Sequence, residues 1–248
     1  LKKLTGQQSQ TINLANTFMR YDLYDAALKV YLQSEKINPK ASFGTQKAQL
    51  YAHLNKVDLM IAEYLNELKR NPRQKQMVMA KVQLFLNNDG IKSEANYQLV
   101  KKQLLPFVRE EQGRTDFSEM LIWLFMQNAQ YKMALIQAKA LDKRTNADGE
   151  QVYDLAESFL DKKEYQLAVE AYDYVLGKGK RNHLFVNTNI NKLYALTKSL
   201  SEQQKELNVL DATYVEVISD LGKNRNTVLL LSNYAHFKAF YLHDLSSA

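Results

Sequence analysis

Residues 151–180 read QVYDLAESFLDKKEYQLAVEAYDYVLGKGK, and the spacing inside this stretch admits few folds. Leu155, Ala156 and Phe159 share one face of a first helix. A short polar turn follows, and Tyr165, Ala168 and Tyr172 share the facing side of a second helix. Three- and four-residue spacing of apolar groups is the helical period. The same spacing returns elsewhere in the chain at intervals of 33 or 34 residues. A lone two-helix hairpin cannot bury its apolar face, so such units stabilise one another by stacking, in arrays of three or more.

The first repeat, 9–39, carries Leu14, Ala15 and Phe18, then Tyr24, Ala27 and Tyr31, and closes at Pro39. The second, 42–72, carries Ala48 and Tyr51, then Val57, Met60 and Tyr64, and closes at Pro72. Pro39, Pro72 and Pro106 are the three prolines of the chain, spaced 33 and 34 residues apart. Proline cannot continue a helix, so each is expected to mark a helix end. In the third repeat, 75–106, the first helix is expected to present Met77, Ala80, Leu84 and Phe85. Asn87 to Gly90 reads as its turn, and Ala95, Leu99 and Leu104 lie on the second helix, ending at Pro106. A polar insertion, REEQGRT at 109–115, then shifts the register.

The fourth repeat, 116–146, reads Leu121, Ile122 and Phe125, then Tyr131, Ala134 and Ala138. The fifth is 150–180, the hairpin quoted above. The sixth, 183–222, departs from the pattern. Its first helix carries Val186, Ile190, Leu193 and Leu196, and a long second helix carries Leu207, Leu210, Tyr214, Val217 or Ile218, and Leu221, with Gly222 as a stop. A seventh, 226–248, is expected to break off at Leu245 to Ala248, at the opening of its second helix. With no initiator Met at Leu1, the chain reads as a processed product or fragment, with further repeats expected beyond Ala248.

Composition narrows the function classes. Apolar residues make up 46% and charged residues 24% of the 248, the globular range. Gly (8) and Pro (3) are too sparse for the many turns of a sheet protein. The absence of cysteine excludes disulfides, thiolate metal sites and cysteine nucleophiles, and suits oxidising and reducing compartments alike. The longest clean apolar run, Met120 to Met126, is far short of the roughly 20 residues of a membrane span. The net charge of +6 reads as a mildly basic surface. Its densest clusters, Lys69-Arg70-Arg73-Lys75 and Lys178-Lys180-Arg181, sit at expected helix ends, where cations suit the helix dipole. No aromatic-interleaved basic motif of the RNA-binding kind is present, so nucleic acid is not an expected partner.

The small residues set the geometry. Ala15, Ala48 and Ala156 are placed where the two helices of a hairpin cross. Ala27, Ala134 and Ala168 are placed where a second helix meets the next unit, and Tyr31, Tyr64, Tyr172, Phe18 and Phe159 fill the gaps. Alternation of small and large side chains lets layers interdigitate at native density.

A 34-residue helix-turn-helix period with a small residue and an aromatic on the first helix, Tyr-x-x-Ala on the second and a closing Pro resembles the tetratricopeptide repeat family. The match is good in repeats one, two, four and five and weak in three and six. The Asn/Gln/Lys/Tyr-rich, cysteine-poor style is similar to that of exported bacterial members, which leans the localisation toward the periplasm or cell envelope. The resemblance implies an all-α solenoid, a right-handed superhelix whose concave groove is lined by first helices. Groove groups would be Asn16, Arg20, Gln49, His53, Trp123, Gln127, Tyr153 and Glu157. Some members clamp the acidic C-terminal tails of chaperones with Lys and Asn. Here Asn16 matches one clamp position, but Gln49 replaces the second Asn and the lysines are missing, so that ligand is not implied.

Catalytic and metal readings find little support. His53, His183, His236 and His243 are the histidines, and the last two, seven apart, stand about 10.5 Å apart along a helix, too far for one zinc. Lys178-Gly179-Lys180 lacks the spacing of a phosphate loop, and Asn87 to Gly90 lacks the later ligands of a calcium loop. Glu110 and Glu111 in the insertion read as solvated, and Trp123, the only tryptophan, reads first as core and second as a groove anchor. The expectation is therefore a non-enzymatic scaffold without metal or cofactor, binding a protein or peptide in its groove. The alternatives are a structural subunit of a larger assembly, and a regulatory array joined to a domain beyond Ala248.

Overall fold

A computed structural model describes residues 7–87, 94–200 and 204–246. The chain forms two compact units, Leu1–Leu124 and Phe125–Ala248. Among the described residues all regular structure is helical.

The first unit holds α1 (Gln8–Met19), α2 (Tyr24–Ile37), α3 (Gly44–His53), α4 (Val57–Arg70), a 3-10 turn (Pro72–Gln74), α5 (Lys75–Leu86) and α6 (Glu94–Glu110). The unit boundary falls within α7 (Asp116–Gln127). The second unit holds α8 (Tyr131–Thr145), α9 (Glu150–Asp161), α10 (Tyr165–Leu176), α11 (Phe185–Ser199), α12 (Gln204–Leu221), a 3-10 turn (Arg225–Thr227) and α13 (Val228–Phe240).

Among the described residues four hairpin turns close in one way. Asp22, Asn55, Ala129 and Lys163 all take left-handed backbone, with φ of 56°, 53°, 53° and 61°. The next N–H reaches back five residues to an aromatic carbonyl: Leu23 to Phe18 (3.0 Å), Lys56 to Tyr51 (2.8 Å), Gln130 to Phe125 (2.9 Å) and Glu164 to Phe159 (2.8 Å). This is the Schellman closure, which satisfies carbonyls a helix end leaves open. Equivalent turns put equivalent side chains inside. Ala15, Ala27 and Ala48 in the first unit, and Ala134, Ala156 and Ala168 in the second, are fully buried. Tyr31, Tyr64, Tyr172 and Phe159 are buried as well. Each fully buried large side chain contributes about 1.5–3 kcal/mol relative to exposure.

Several expectations change. Pro106 does not end a helix; it lies inside α6, which continues to Glu110. Pro106 and Lys102, the residue whose carbonyl loses its helical partner, are both exposed. The turn beyond Pro106 is held because Phe107 stacks on Phe117 at 5.1 Å. The apolar face of α5 is also rotated from the expected one: Val78, Val82 and Leu86 are buried, whereas Ala80 and Leu84 are exposed. This helix is apolar nearly all round, so periodicity leaves its phase undetermined. On α6 the buried set is Tyr97, Val100 and Leu104, with Ala95 outside. Leu245 and Ser246 form a bend rather than a helix opening. The expected turn at 88–90 and the final two residues lie outside the described residues.

The insertion is a fastener rather than a solvated loop. Arg109 and Glu110 still belong to α6. Arg114 folds back onto the end of α4, donating to the Lys69 carbonyl at 2.6 Å and the Leu68 carbonyl at 2.8 Å. Asp116 accepts from its Nε at 3.1 Å and holds the guanidinium fork at the helix end. Glu111 pairs with Lys69 at 2.6 Å.

In the sixth repeat α11 lies chiefly along α10, and α12 packs less closely against α11. Its core still uses the expected residues. Ile190, Leu193, Leu207, Leu210 and Tyr214 cluster with Leu230 and Phe237 of α13.

Candidate functional site

The eight expected groove residues divide between the units. Asn16 on α1, Arg20 just past it, and Gln49 and His53 on α3 are exposed in the first unit. Their i, i+4 spacing puts each pair on one helix face. His53 stacks on Tyr24 with ring centroids 4.4 Å apart and planes 4° from parallel. The Tyr24 hydroxyl in turn donates to Asp22 at 2.6 Å, so the ring pair is anchored to the hairpin turn. Trp123 is half-buried, while Leu121, Ile122 and Leu124 around it are buried.

In the second unit Gln127 is half-buried at the end of α7. Tyr153 and Glu157, one turn apart on α9, are brought together with a residue that sequence reasoning misses, Asn191 of α11. The Asn191 amide donates to the Tyr153 hydroxyl at 2.9 Å and to Glu157 Oε1 at 2.8 Å. The hydroxyl of Tyr172, a fully buried residue of α10, donates to the same carboxylate oxygen. The Tyr153 ring meets Tyr172 edge-on at 5.8 Å. Burial, and then the Glu157 carboxylate, push the Tyr172 phenol far above its ordinary value. The same two causes raise Tyr153. The result is a preorganised polar patch on adjacent helices, with Glu157 held as an acceptor and two aromatic rings fixed beside it. No sequence motif signals Asn191, because it lies in the repeat where the period is weakest.

A second missed group is Lys47 of α3. It stands eight residues before the turn residue Asn55, where the equivalent positions before Asp22, Ala129 and Lys163 are Leu14, Leu121 and Leu155. Its ammonium lies buried, 2.8 Å from Glu35 Oε2 on α2 and 2.9 Å from Glu63 Oε1 on α4. Burial alone lowers a lysine pKa, but the two carboxylates outweigh it and hold Lys47 above the ordinary value.

Asp142 of α8 is the third. It is 4% exposed. It accepts from the Gly149 N–H at 2.8 Å and the Tyr174 hydroxyl at 2.6 Å, and pairs with Lys178. The basic clusters flagged in the sequence are largely spent in such contacts. Lys75 pairs with Glu119, Arg70 donates to Ser42 at 2.6 Å, and Lys180 pairs with Asp220.

Among the described residues no group of His, Asp and Glu is arranged to hold a metal ion, and no helix is long and apolar enough to cross a membrane.

Helix hairpins with a shared turn and a shared small-and-large fill define an all-α helical repeat protein. Among solved structures, pilF of Pseudomonas aeruginosa is similar at 14% identity and a TM-score of 0.34, over 93% of this chain and 96% of that one. The TPR domain of P58(IPK) is similar at 10% identity and a TM-score of 0.29, over 96% of this chain and 89% of that one. The sequence matches no protein-family model and no curated protein. The repeat class therefore rests on the hairpins themselves.

Proposed function

We propose that the chain is a non-enzymatic protein-interaction scaffold, in which the first-helix faces bind a peptide or a folded partner. The observation that carries this reading is the Tyr153–Glu157–Asn191 patch. Its groups are held by one another and by Tyr172 before any ligand arrives, so binding costs little side-chain ordering. Exposed Asn16, Arg20 and Gln49 offer donors and acceptors suited to a peptide backbone on the corresponding faces of the first unit. Nucleic acid is a poorer fit, because most of the clustered lysines already face carboxylates.

The test places a photo-crosslinking amino acid at Tyr153 or Gln49 of the full chain in its source cells. Adducts of one defined mass are expected from both positions, and none from Lys36, exposed on α2. Equal labelling from Lys36 would refute the reading.

A permanent structural subunit is the second reading. It is favoured by α13, which exposes Val228, Leu229 and Phe240. A stoichiometric partner that survives high-salt purification separates this reading from the first.

A further inference from the structure

We propose that the buried Glu35–Lys47–Glu63 triad is a pairing key, which admits α3 to the position behind α2 and penalises the wrong dockings open to a repeat chain. The hairpins carry the same small-and-large pattern, so a wrong pairing buries nearly the same apolar area. Apolar burial is non-directional and discriminates poorly between such pairings, and misassembly is the characteristic failure of repeat proteins. Buried charges discriminate, because a charge taken from water without its partner is strongly unfavourable.

The geometry fits a key. Lys47 is 4% exposed and divides its ammonium between carboxylates of two other helices. The other oxygen of Glu35 accepts the Phe43 N–H at 3.1 Å, which ties the triad to the residue that opens α3. The position of Glu35, thirteen residues after its turn residue, is occupied by Leu68, Asp142 and Leu176 in the other three hairpins that share the turn. Docking α3 on α10 would set Lys47 against Leu176. Docking α9 on α2 would set Glu35 against Leu155. The first leaves Lys47 with Glu63 alone, since Glu63 travels in the same hairpin, and the second strands the Glu35 carboxylate. Within the second unit Asp142 repeats the theme with a different lock: it takes the Gly149 N–H that opens α9, and its lysine, Lys178, follows α10.

The triad is also poorly suited to stability alone. It holds two carboxylates for one ammonium, and the buried Glu63 Oε2 accepts no hydrogen bond from the described residues. Leucine, used at the position of Lys47 in the three other hairpins, would fill the space without that cost.

The test uses the full chain with Glu35→Gln, Lys47→Leu and Glu63→Leu combined; the glutamine side chain keeps an acceptor for the Phe43 N–H. The expected result is an unchanged helical circular-dichroism spectrum and a urea midpoint no lower than the parent's. On rapid dilution from denaturant, a several-fold loss in the native size-exclusion peak is expected, with a matching gain in misassembled species. The control Leu155→Met refolds like the parent. A triple variant that refolds as cleanly as the parent overturns the proposal. So does one that is less stable or unfolded, since the triad is then a stabilising contact rather than a selective one.

Discussion

The α3–α4 hairpin and the α9–α10 hairpin share a skeleton and differ inside it. Both close through a left-handed residue, Asn55 or Lys163, and a back-reaching N–H. Both bury an alanine on the first helix, Ala48 or Ala156, and a tyrosine on the second, Tyr64 or Tyr172. Yet where α9 places Leu155, α3 places a lysine clamped by Glu35 and Glu63. The difference shows that the turn and the alanines specify the hairpin, whereas this neighbouring interior position accepts an apolar group or a compensated charge. It also moves the polar patch: in α9–α10 the buried tyrosine hydroxyl holds Glu157 toward Asn191.

The largest effect should come from attacking what the two hairpins share. Ala168→Arg adds bulk and an unpaired charge to a fully buried site, and should cost about 4 kcal/mol or more. An unchanged melting temperature would mean that the small-residue contact is misassigned. Next comes the position where they differ. Lys47→Met leaves two carboxylates without a cation and should cost about 3–5 kcal/mol, whereas Leu155→Met should cost less than about 1.5 kcal/mol. Equal losses in urea denaturation would erase the distinction.

A smaller effect is expected from alkali. Burial raises Tyr97 in the first unit and Tyr214 in the second to about 12, and raises Tyr172 further. Unfolded tyrosine ionises near pH 10. Between about pH 10 and 12 the unfolded chain therefore binds fewer protons than the folded one, and stability falls as pH rises. Lys47 acts in the same direction: its raised pKa adds stability below the unfolded lysine value, which is lost as pH climbs through the folded value. Urea midpoints at successive pH values, read beside tyrosinate absorbance, check this. Ordinary ionisation of every tyrosine in the folded chain would contradict it.

The smallest effect tests the shared turn. Lys163→Gly removes side-chain strain at a φ of 61° and should stabilise by about 0.5–1 kcal/mol. Asn55→Gly should gain less, because asparagine tolerates that backbone. A loss at Lys163 in a melting curve would show that its side chain makes contacts worth more than the strain.

Much of the scaffold is legible from spacing. The burial of Ala27, Ala134 and Ala168, the hairpins around residues 22, 55, 129 and 163, and the long α12 all follow from periodicity and turn residues. Periodicity fails where it is ambiguous. On α5 eight of the twelve residues are apolar and they are spread around the helix, so spacing selects the wrong buried face, and Pro106 reads as a stop although the residue is exposed. For the candidate site, Tyr153 and Glu157 are legible as first-helix positions, but Asn191, Lys47, Asp142 and Arg114 are not. Their roles depend on partners 12 to 46 residues away, as Lys47 on Glu35, Arg114 on the Leu68 carbonyl, Asp142 on Tyr174 and Asn191 on Glu157.

Local order, then, is written in the chain. Three- and four-residue apolar spacing sets each helix, and the turn geometry sets each hairpin, because both are decided among near neighbours. Tertiary structure alone decided which polar groups would be buried together. A lysine is unfavourable in a core until two carboxylates from other helices surround it, and that balance of desolvation against pairing exists only once the helices have met.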